Sequence, residues 1–173
     1  MKWVLVAAGA IIGLVALVAL IGSLLPKNHV ASRTARLQQP PEAVWQVITD
    51  FAAQPSWQSD LRGVERLPDQ NGHPVWKEIR KGGPLILENV EFTPPRRMVR
   101  RIADPSLPFG GNWTYQIEPS AGGCTLTITE NGEVYNPIFR FVSRFLMDQA
   151  STIEAYLKAL GKKLGQEVSF EKS

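Results

Sequence analysis

The sequence is poor in the residues on which most metal and nucleophilic sites depend. Its 173 residues include one cysteine, Cys124, and two histidines, His29 and His73. A single cysteine excludes an intrachain disulfide framework and a cysteine-built zinc site. The two histidines lie far apart and lack the short spacing of a helical metal motif. We therefore predict no metal site and no cofactor. With two histidines, the sequence also offers few residues for a Ser/His/Asp catalytic triad.

A strong excess of charge of either sign is also missing. Nineteen Lys and Arg residues oppose sixteen Asp and Glu residues, which leaves a net charge of +3 at pH 7. Domains that bind nucleic acid typically carry a pronounced basic patch, so we predict no nucleic-acid partner. Intrinsic disorder is excluded as well, because 44% of the residues are hydrophobic and the net charge is small.

Charge is absent altogether from residues 3–25, a run of 23 residues in which Ser23 is the polar exception. A helix of that length spans about 34 Å, enough to cross a hydrocarbon core of ~30 Å. A cleavable signal peptide has a shorter apolar region of roughly 7–15 residues and a small-x-small cleavage site, which residues 19–23 match poorly. We therefore predict an uncleaved single-pass anchor over 1–26 in the cell membrane, followed by a domain over 27–173.

Two properties of this anchor stay open. The basic residues that follow the segment outnumber Lys2 before it, which favours a cytoplasmic domain. The short Met-Lys head, however, resembles a signal anchor that exports the domain after it. Gly9 and Gly13 form a G-x-x-x-G pattern, which predicts a weak pairing of two anchors.

Strand-like runs separated by turn residues fill most of the remaining chain. The first is predicted over 29–37, and Asn71-Gly72 is a strong hairpin signal among the later ones. Six further strands joined by short loops predict an antiparallel meander. They are expected over 61–67, 75–80, 85–93, 97–103, 112–118 and 124–135.

Helical patterns lie on either side of the six later strands. Pro41 is well placed to begin a short helix that ends near Asp50. After Asn136 and Pro137, apolar residues recur every three or four positions, which predicts one long helix to about Gly165. The order predicts an α+β fold in which a curved seven-stranded antiparallel sheet wraps around this helix, with space for a ligand between them.

One stretch carries a family resemblance. Residues 41–50 read PEAVWQVITD and are continued by Phe51 and Pro55-Ser56-Trp57. Together with Asn112-Trp113-Thr114-Tyr115 and residues 123–127, this stretch resembles the START-like (SRPBCC, helix-grip) superfamily, in its polyketide cyclase/dehydrase and lipid transport branch. The resemblance covers about 29–165. It implies a helix-grip fold with a cavity for a lipid, quinone or polyketide-like molecule, and it carries over no catalytic residue, because the family shares a cavity rather than one catalytic motif.

Strand alternation predicts which side chains face that cavity. On the strand over 112–118, Trp113, Tyr115 and Ile117 form the apolar set. Pairing with the next strand is expected to place Tyr115 opposite Ile128 and Trp113 opposite Glu130. The two alternations agree, which supports this register.

The same alternation predicts charged groups on an otherwise apolar inner face. Glu88, Arg100 and Glu130 are expected there, with Arg101 as an alternative to Arg100. An unpaired buried charge is costly, so these groups either pair structurally or meet a polar ligand end or reacting group. Trp57 and Tyr156 are also explained by core packing. Trp76 and Glu78 are ambiguous, because neither face of the strand over 75–80 is clearly apolar. The candidate cavity residues are Trp57, Trp76, Glu88, Arg100, Trp113, Tyr115, Glu130 and Tyr156.

Three functions fit these observations, and whether the protein is an enzyme stays open. The preferred one is a membrane-anchored binding or carrier domain for a hydrophobic small molecule. The second is a cyclase or dehydratase that uses Glu88, Glu130, Arg100 or Tyr115 for proton transfer. The third is a membrane-tethered protein-interaction domain whose pocket is filled by side chains.

Overall fold

The computed structural model describes residues 2–172 and has an α+β architecture. An apolar helix precedes one antiparallel sheet. Two later helices pack on one face of that sheet, and a third packs against the apolar helix. The helices are α1 (Lys2–Leu24), α2 (Pro41–Thr49), α3 (Pro137–Leu146) and α4 (Ser151–Lys163), with a 3-10 turn at Gln54–Ser56. The strands are β1 (Asn28–Leu37), β2 (Leu61–Gln70), β3 (His73–Arg80), β4 (Gly83–Thr93), β5 (Arg97–Ile102), β6 (Phe109–Ser120), β7 (Gly123–Val134) and β8 (Phe170–Lys172).

The described strands follow the order β2-β3-β4-β5-β6-β7-β1-β8, so the predicted meander is confirmed. The predicted register between β6 and β7 is also confirmed, with Tyr115 opposite Ile128 and Trp113 opposite Glu130. The sheet has one strand more than the seven predicted. This extra strand, β8, is only three residues long and pairs with β1 at the sheet edge, which is too short for a period-two pattern to show.

The C-terminal helical region differs from the single long helix that the sequence predicted. It is divided into α3 and α4, with Met147 in an extended conformation between them. A turn at Asp148 precedes the second helix: the Asp148 carboxylate accepts a hydrogen bond from the Ala150 amide at 3.0 Å, and its carbonyl accepts one from the Ser151 hydroxyl. Apolar spacing continues through this break, so periodicity alone could not reveal it.

One face of the sheet, called the inner face below, forms the core with α2 and α4. Val44 and Ile48 of α2 and Leu157 of α4 are fully buried against it. Pro41 begins α2 as predicted, and Glu42 lies in its first turn. The other buried core residues include Ala35, Leu37, Met98, Ile117, Leu126, Ile128, Ile153 and Leu160.

Helix α1 is long and apolar enough to cross a membrane, and its large side chains are exposed. Its carboxyl end packs against α3. Gly22 is buried there because the Pro137 carbonyl occupies the space that a β-carbon would need. The other two glycines of α1, Gly9 and Gly13, have open space around them.

Arg140 joins this helix to the rest of the molecule. Its guanidinium donates to the carbonyls of Gly22 and Leu25, each at 3.1 Å, and to those of Val134 and Tyr135 at 3.0 Å. The first two carbonyls lie at the carboxyl end of α1, where helical carbonyls have no partner within the helix. Arg140 therefore ties the end of α1 to the end of β7.

Candidate functional site

Strands β3, β4 and β5 bring four polar side chains together on the inner face, here called the inner polar cluster: Glu78, Arg80, Asn89 and Arg100. The Arg100 guanidinium donates to Glu78 Oε1 at 2.6 Å and to Asn89 Oδ1 at 3.1 Å. Arg80 donates to the other oxygen of Glu78 from two of its nitrogens, at 2.6 and 2.9 Å. One carboxylate thus lies between two guanidinium groups.

The register of the strands explains why these side chains meet. Arg100 is opposite Trp113 on one side and Asn89 on the other, so all three share the inner face. A bulge in β4 between Asn89 and Glu91 shifts the alternation of that strand by one residue. As a result Asn89, rather than Glu88, faces inward.

The inner polar cluster is deeply buried at its centre. Glu78 is 0% exposed and Arg100 is 3% exposed. Burial raises the pKa of the Glu78 carboxyl, but the nearby charges of Arg100 and Arg80 outweigh that effect, so its pKa lies below the usual value. Glu78 is therefore ionised at neutral pH and acts as a fixed acceptor rather than as a proton donor.

Two buried donors beside this cluster have no hydrogen-bond partner in the described part of the chain. They are Nη2 of Arg100 and Nε1 of Trp76. Both side chains contact Phe51: the Arg100 guanidinium lies 4.5 Å from the ring centroid, and the Trp76 ring lies 4.9 Å from it. A further buried donor without a partner is Nε2 of Gln58.

Aromatic side chains surround the cluster on the side of α4. The Tyr156 ring packs edge-on against Trp57 and Tyr115, at centroid distances of 5.4 and 5.7 Å. Burial raises the pKa of the Tyr115 and Tyr156 hydroxyls, and Tyr156 shows the larger shift. Both hydroxyls therefore stay protonated and remain able to donate hydrogen bonds at neutral pH.

The structure thus brings together five of the predicted cavity residues: Trp57, Trp76, Arg100, Tyr115 and Tyr156. The choice between Arg100 and Arg101 is resolved by register, because Arg101 pairs with Asn112 on the opposite face.

Glu88 is a correction to the prediction, because it lies on the outer face of the sheet. It is opposite Arg101 in the register and accepts a hydrogen bond from that guanidinium at 2.7 Å. This hydrogen bond is the main cause that lowers the pKa of the Glu88 carboxyl. The sequence predicted the wrong face for Glu88, because the β4 bulge interrupts the strict alternation on which that prediction relied.

Glu130 and Trp113 form a separate pair on the inner face, nearer the strand ends. The Trp113 indole donates to Glu130 Oε2 at 2.8 Å, and the Thr152 hydroxyl donates to the same oxygen at 3.3 Å. The other oxygen lies 3.2 Å from His29 Nε2. His29 reaches this position because Gly132, opposite it on β7, has no side chain.

Two cavities lie outside the inner polar cluster. A groove of about 430 Å³ on the outer face is lined by Glu88 and Arg101, among others. A smaller pocket of about 100 Å³ lies between the end of α1 and α3. No group of three His, Cys, Asp or Glu side chains suited to a metal ion occurs among residues 2–172.

Sequence reasoning missed Arg80 and Asn89, and it left open the face on which Glu78 lies. Trp76, Glu78 and Arg80 occupy every second position of β3, so strand alternation places the three side chains on the same face. This signal was not used because neither face of β3 is clearly apolar. Asn89 had no usable signal, since the bulge that turns it inward depends on pairing with β5.

Comparison with known proteins gives consistent results. The model of the family described as "Polyketide cyclase / dehydrase and lipid transport" matches residues 28–165. A START superfamily protein from Mycobacterium smegmatis is 17% identical with a TM-score of 0.61, covering 79% of this chain and 97% of its own. The Zhui aromatase/cyclase from Streptomyces sp. R1128 is 13% identical with a TM-score of 0.62, covering 80% and 94%. A conserved protein from Geobacillus kaustophilus is 18% identical with a TM-score of 0.63, covering 83% and 99%.

These structures share the fold with this chain, at identities too low to transfer an activity. No curated protein sequence matches the chain.

Proposed function

Because the chain belongs to the polyketide cyclase/dehydrase and lipid transport family, we propose that it is a membrane-anchored binding or carrier domain for a hydrophobic small molecule. The ligand is of the lipid, quinone or polyketide-like class and has an oxygen that accepts hydrogen bonds. It binds on the inner face, between the sheet and α4. Residues 1–26 form the anchor and residues 27–173 the binding domain.

The observation that carries this proposal is the pair of unpartnered donors, Arg100 Nη2 and Trp76 Nε1, on the inner face. A buried donor without a partner costs about 1–3 kcal/mol. A carbonyl, carboxylate or phenolate oxygen of the ligand relieves that cost. The hydrocarbon part of the ligand packs against Trp57, Tyr115 and Tyr156, as expected for a mostly apolar site with a few placed polar groups.

The contacts at the end of α1 support an anchor that remains attached. Arg140 is 7% exposed and donates to two α1-end carbonyls as well as to two carbonyls of the domain. Removal of α1 as a signal peptide deprives this buried cation of half its partners. We therefore favour a single-pass protein of the cell membrane, with the side that holds the domain left open.

The cyclase or dehydratase alternative has less support. Glu88 is on the outer face, Glu78 is held ionised, and Glu130 accepts a hydrogen bond from the Trp113 indole on one oxygen and lies 3.2 Å from His29 Nε2 on the other. The protonated hydroxyls of Tyr115 and Tyr156 are the remaining groups for proton transfer.

A protein-interaction domain is the second candidate, and one observation favours it. The inner-face aromatics Trp57, Tyr115 and Tyr156 contact one another, so side chains fill part of the space between the sheet and α4.

Equilibrium dialysis of the full chain in lipid nanodiscs tests the choice, with empty nanodiscs as the partition control. The probes are 2-naphthoate, 2-naphthol and naphthalene, which share an apolar ring system and differ in the acceptor group. We expect affinity for the protein to decrease in the order naphthoate, naphthol, naphthalene. Trp76→Phe removes the indole N–H donor and keeps a smaller aromatic ring, and it should weaken naphthoate binding by roughly fivefold, equivalent to about 1 kcal/mol. Trp3→Phe, an exposed tryptophan in α1, is the matched control.

Retention equal to that of empty nanodiscs for all three probes contradicts the binding function and favours the interaction domain. Equal affinity for the three probes contradicts the role of Arg100 and Trp76.

A further inference from the structure

Helix α3 carries an apolar surface that the rest of the described chain leaves uncovered. Phe145 is 58% exposed and Leu146 is 75% exposed, and Ile138 and Met147 are exposed as well. Half-buried Phe141 packs against Phe145 at a ring-centroid distance of 4.9 Å. Exposed apolar surface of this kind marks an interaction site on most soluble domains.

The apolar residues of α3 share one side of the helix. Ile138, Phe141, Phe145 and the neighbouring Val142 and Leu146 recur at intervals of three or four, which places them on a single stripe. Arg140 and Ser143 lie on the opposite side and are buried against the rest of the molecule. The helix is therefore amphipathic, with its polar side facing the protein and its apolar side facing outward.

The position of α3 relative to α1 identifies the occupant of this surface. Pro137 packs on Gly22, and Arg140 bonds the Gly22 and Leu25 carbonyls. Since α1 is about 34 Å long against a hydrocarbon core of ~30 Å, Gly22, two residues from its end, lies near the core boundary. Amphipathic helices insert at this depth.

From these contacts we propose that α3 is a membrane-surface helix whose apolar stripe inserts into the same bilayer that α1 spans. This inference rests on the anchor in the proposed function. Three of the seven phenylalanines of the chain lie in α3, and phenylalanine and leucine are typical of the face that interfacial amphipathic helices bury in the bilayer.

Basic side chains lie where the headgroups are expected. Lys27 and Arg144 are exposed and line the pocket between α1 and α3. Each such charge near an anionic lipid surface contributes about 1 kcal/mol. The membrane therefore holds the domain at two points, and α3 fixes its orientation relative to the bilayer.

The test uses the full chain in nanodiscs of phosphatidylcholine and phosphatidylglycerol, with Cys124→Ala as background. Leu146→Cys carries an environment-sensitive nitrobenzoxadiazole probe on the stripe. Ala121→Cys is the matched control, in the exposed β6–β7 turn at the far end of the 12-residue strand β7, about 36 Å along that strand from α3. The quencher is a phospholipid with a nitroxide near the headgroup.

We expect blue-shifted emission and quenching by the labelled lipid at position 146, and neither effect at position 121. A probe at 146 that stays water-exposed overturns the proposal. So does one that is shielded but unquenched, which indicates a protein partner or a second copy. Alkaline-carbonate treatment of membranes that hold the full chain tests the anchor separately. Release of the chain into the soluble fraction overturns both the anchor and the insertion of α3. A chain that stays in the membrane while its probe at position 146 is unquenched overturns the insertion alone. Neither readout depends on ligand binding.

Discussion

The buried pair of Arg100 and Glu78 gives the sharpest test of the inner polar cluster. We predict that Arg100→Met destabilises the protein by about 3 kcal/mol, because removing one partner of a buried ion pair typically costs 3–5 kcal/mol. The lower end of this range applies because Arg80 continues to pair with Glu78 in the variant. Methionine fills much of the volume above Phe51, so the cavity contribution is small.

The neighbouring residue supplies a matched control. Arg101 also pairs with a carboxylate, Glu88, but its side chain is 52% exposed on the outer face. Arg101 itself is half solvent-exposed, although its partner Glu88 is buried, so Arg101→Met should cost about 1 kcal/mol, less than Arg100→Met. The same substitution one residue away thus compares a buried with a half-exposed guanidinium.

Thermal unfolding of the full chain in detergent micelles, followed by near-ultraviolet circular dichroism, measures both variants. At roughly 3 °C per kcal/mol for a domain of this size, Arg100→Met should lower Tm by about 9 °C and Arg101→Met by at most about 3 °C. Equal decreases for the two variants would refute the reasoning. Adding Glu78→Gln to Arg100→Met should cost less than the sum of the single changes, since the two side chains interact directly.

Three further predictions follow from individual residues. Glu78 has a lowered pKa in the folded state, so its contribution is complete above its ordinary pKa of 4.5 and is lost as the pH falls through the folded value. The difference in stability between wild type and Glu78→Gln should therefore shrink on acidification from pH 7 to pH 3, and a constant difference contradicts the ionised assignment. Burial raises the pKa of the Cys124 thiol, so a thiol reagent at pH 8 should label it only after unfolding, and labelling of the native protein contradicts its burial. Gly22→Leu should detach α1 from α3 and increase amide exchange in α3, whereas Gly13→Leu, with open space around it, should not; equal exchange in the two variants contradicts the packing.

The sequence predicted the architecture because alternation and turn residues are local signals. Strand positions and the β6–β7 register follow from period-two patterns and their breaks, and the start of α2 follows from the preference of Pro41 for the first helical position. The predicted inward positions of Tyr115 and Trp113 are confirmed for the same reason, since a register error of one residue reverses every side chain. The apolar segment of α1 needed only length and composition.

The division of the C-terminal helical region needed more than periodicity. The apolar spacing runs unbroken from α3 into α4, and the turn at Asp148 is a short signal within it. Arg140 shows what the break accomplishes: it allows α3 to meet α1 while α4 stays on the sheet. Contacts between segments more than 100 residues apart leave no local pattern.

The inner polar cluster was likewise decided by tertiary structure. Glu78 and Arg100 are 22 residues apart and meet because β4 pairs with both of their strands. The bulge in β4 then turns Asn89 inward and Glu88 outward, which reversed the prediction for Glu88. Sequence alternation assigns two faces to each strand, but it does not say which faces of different strands coincide, because a single extra residue in one strand exchanges them.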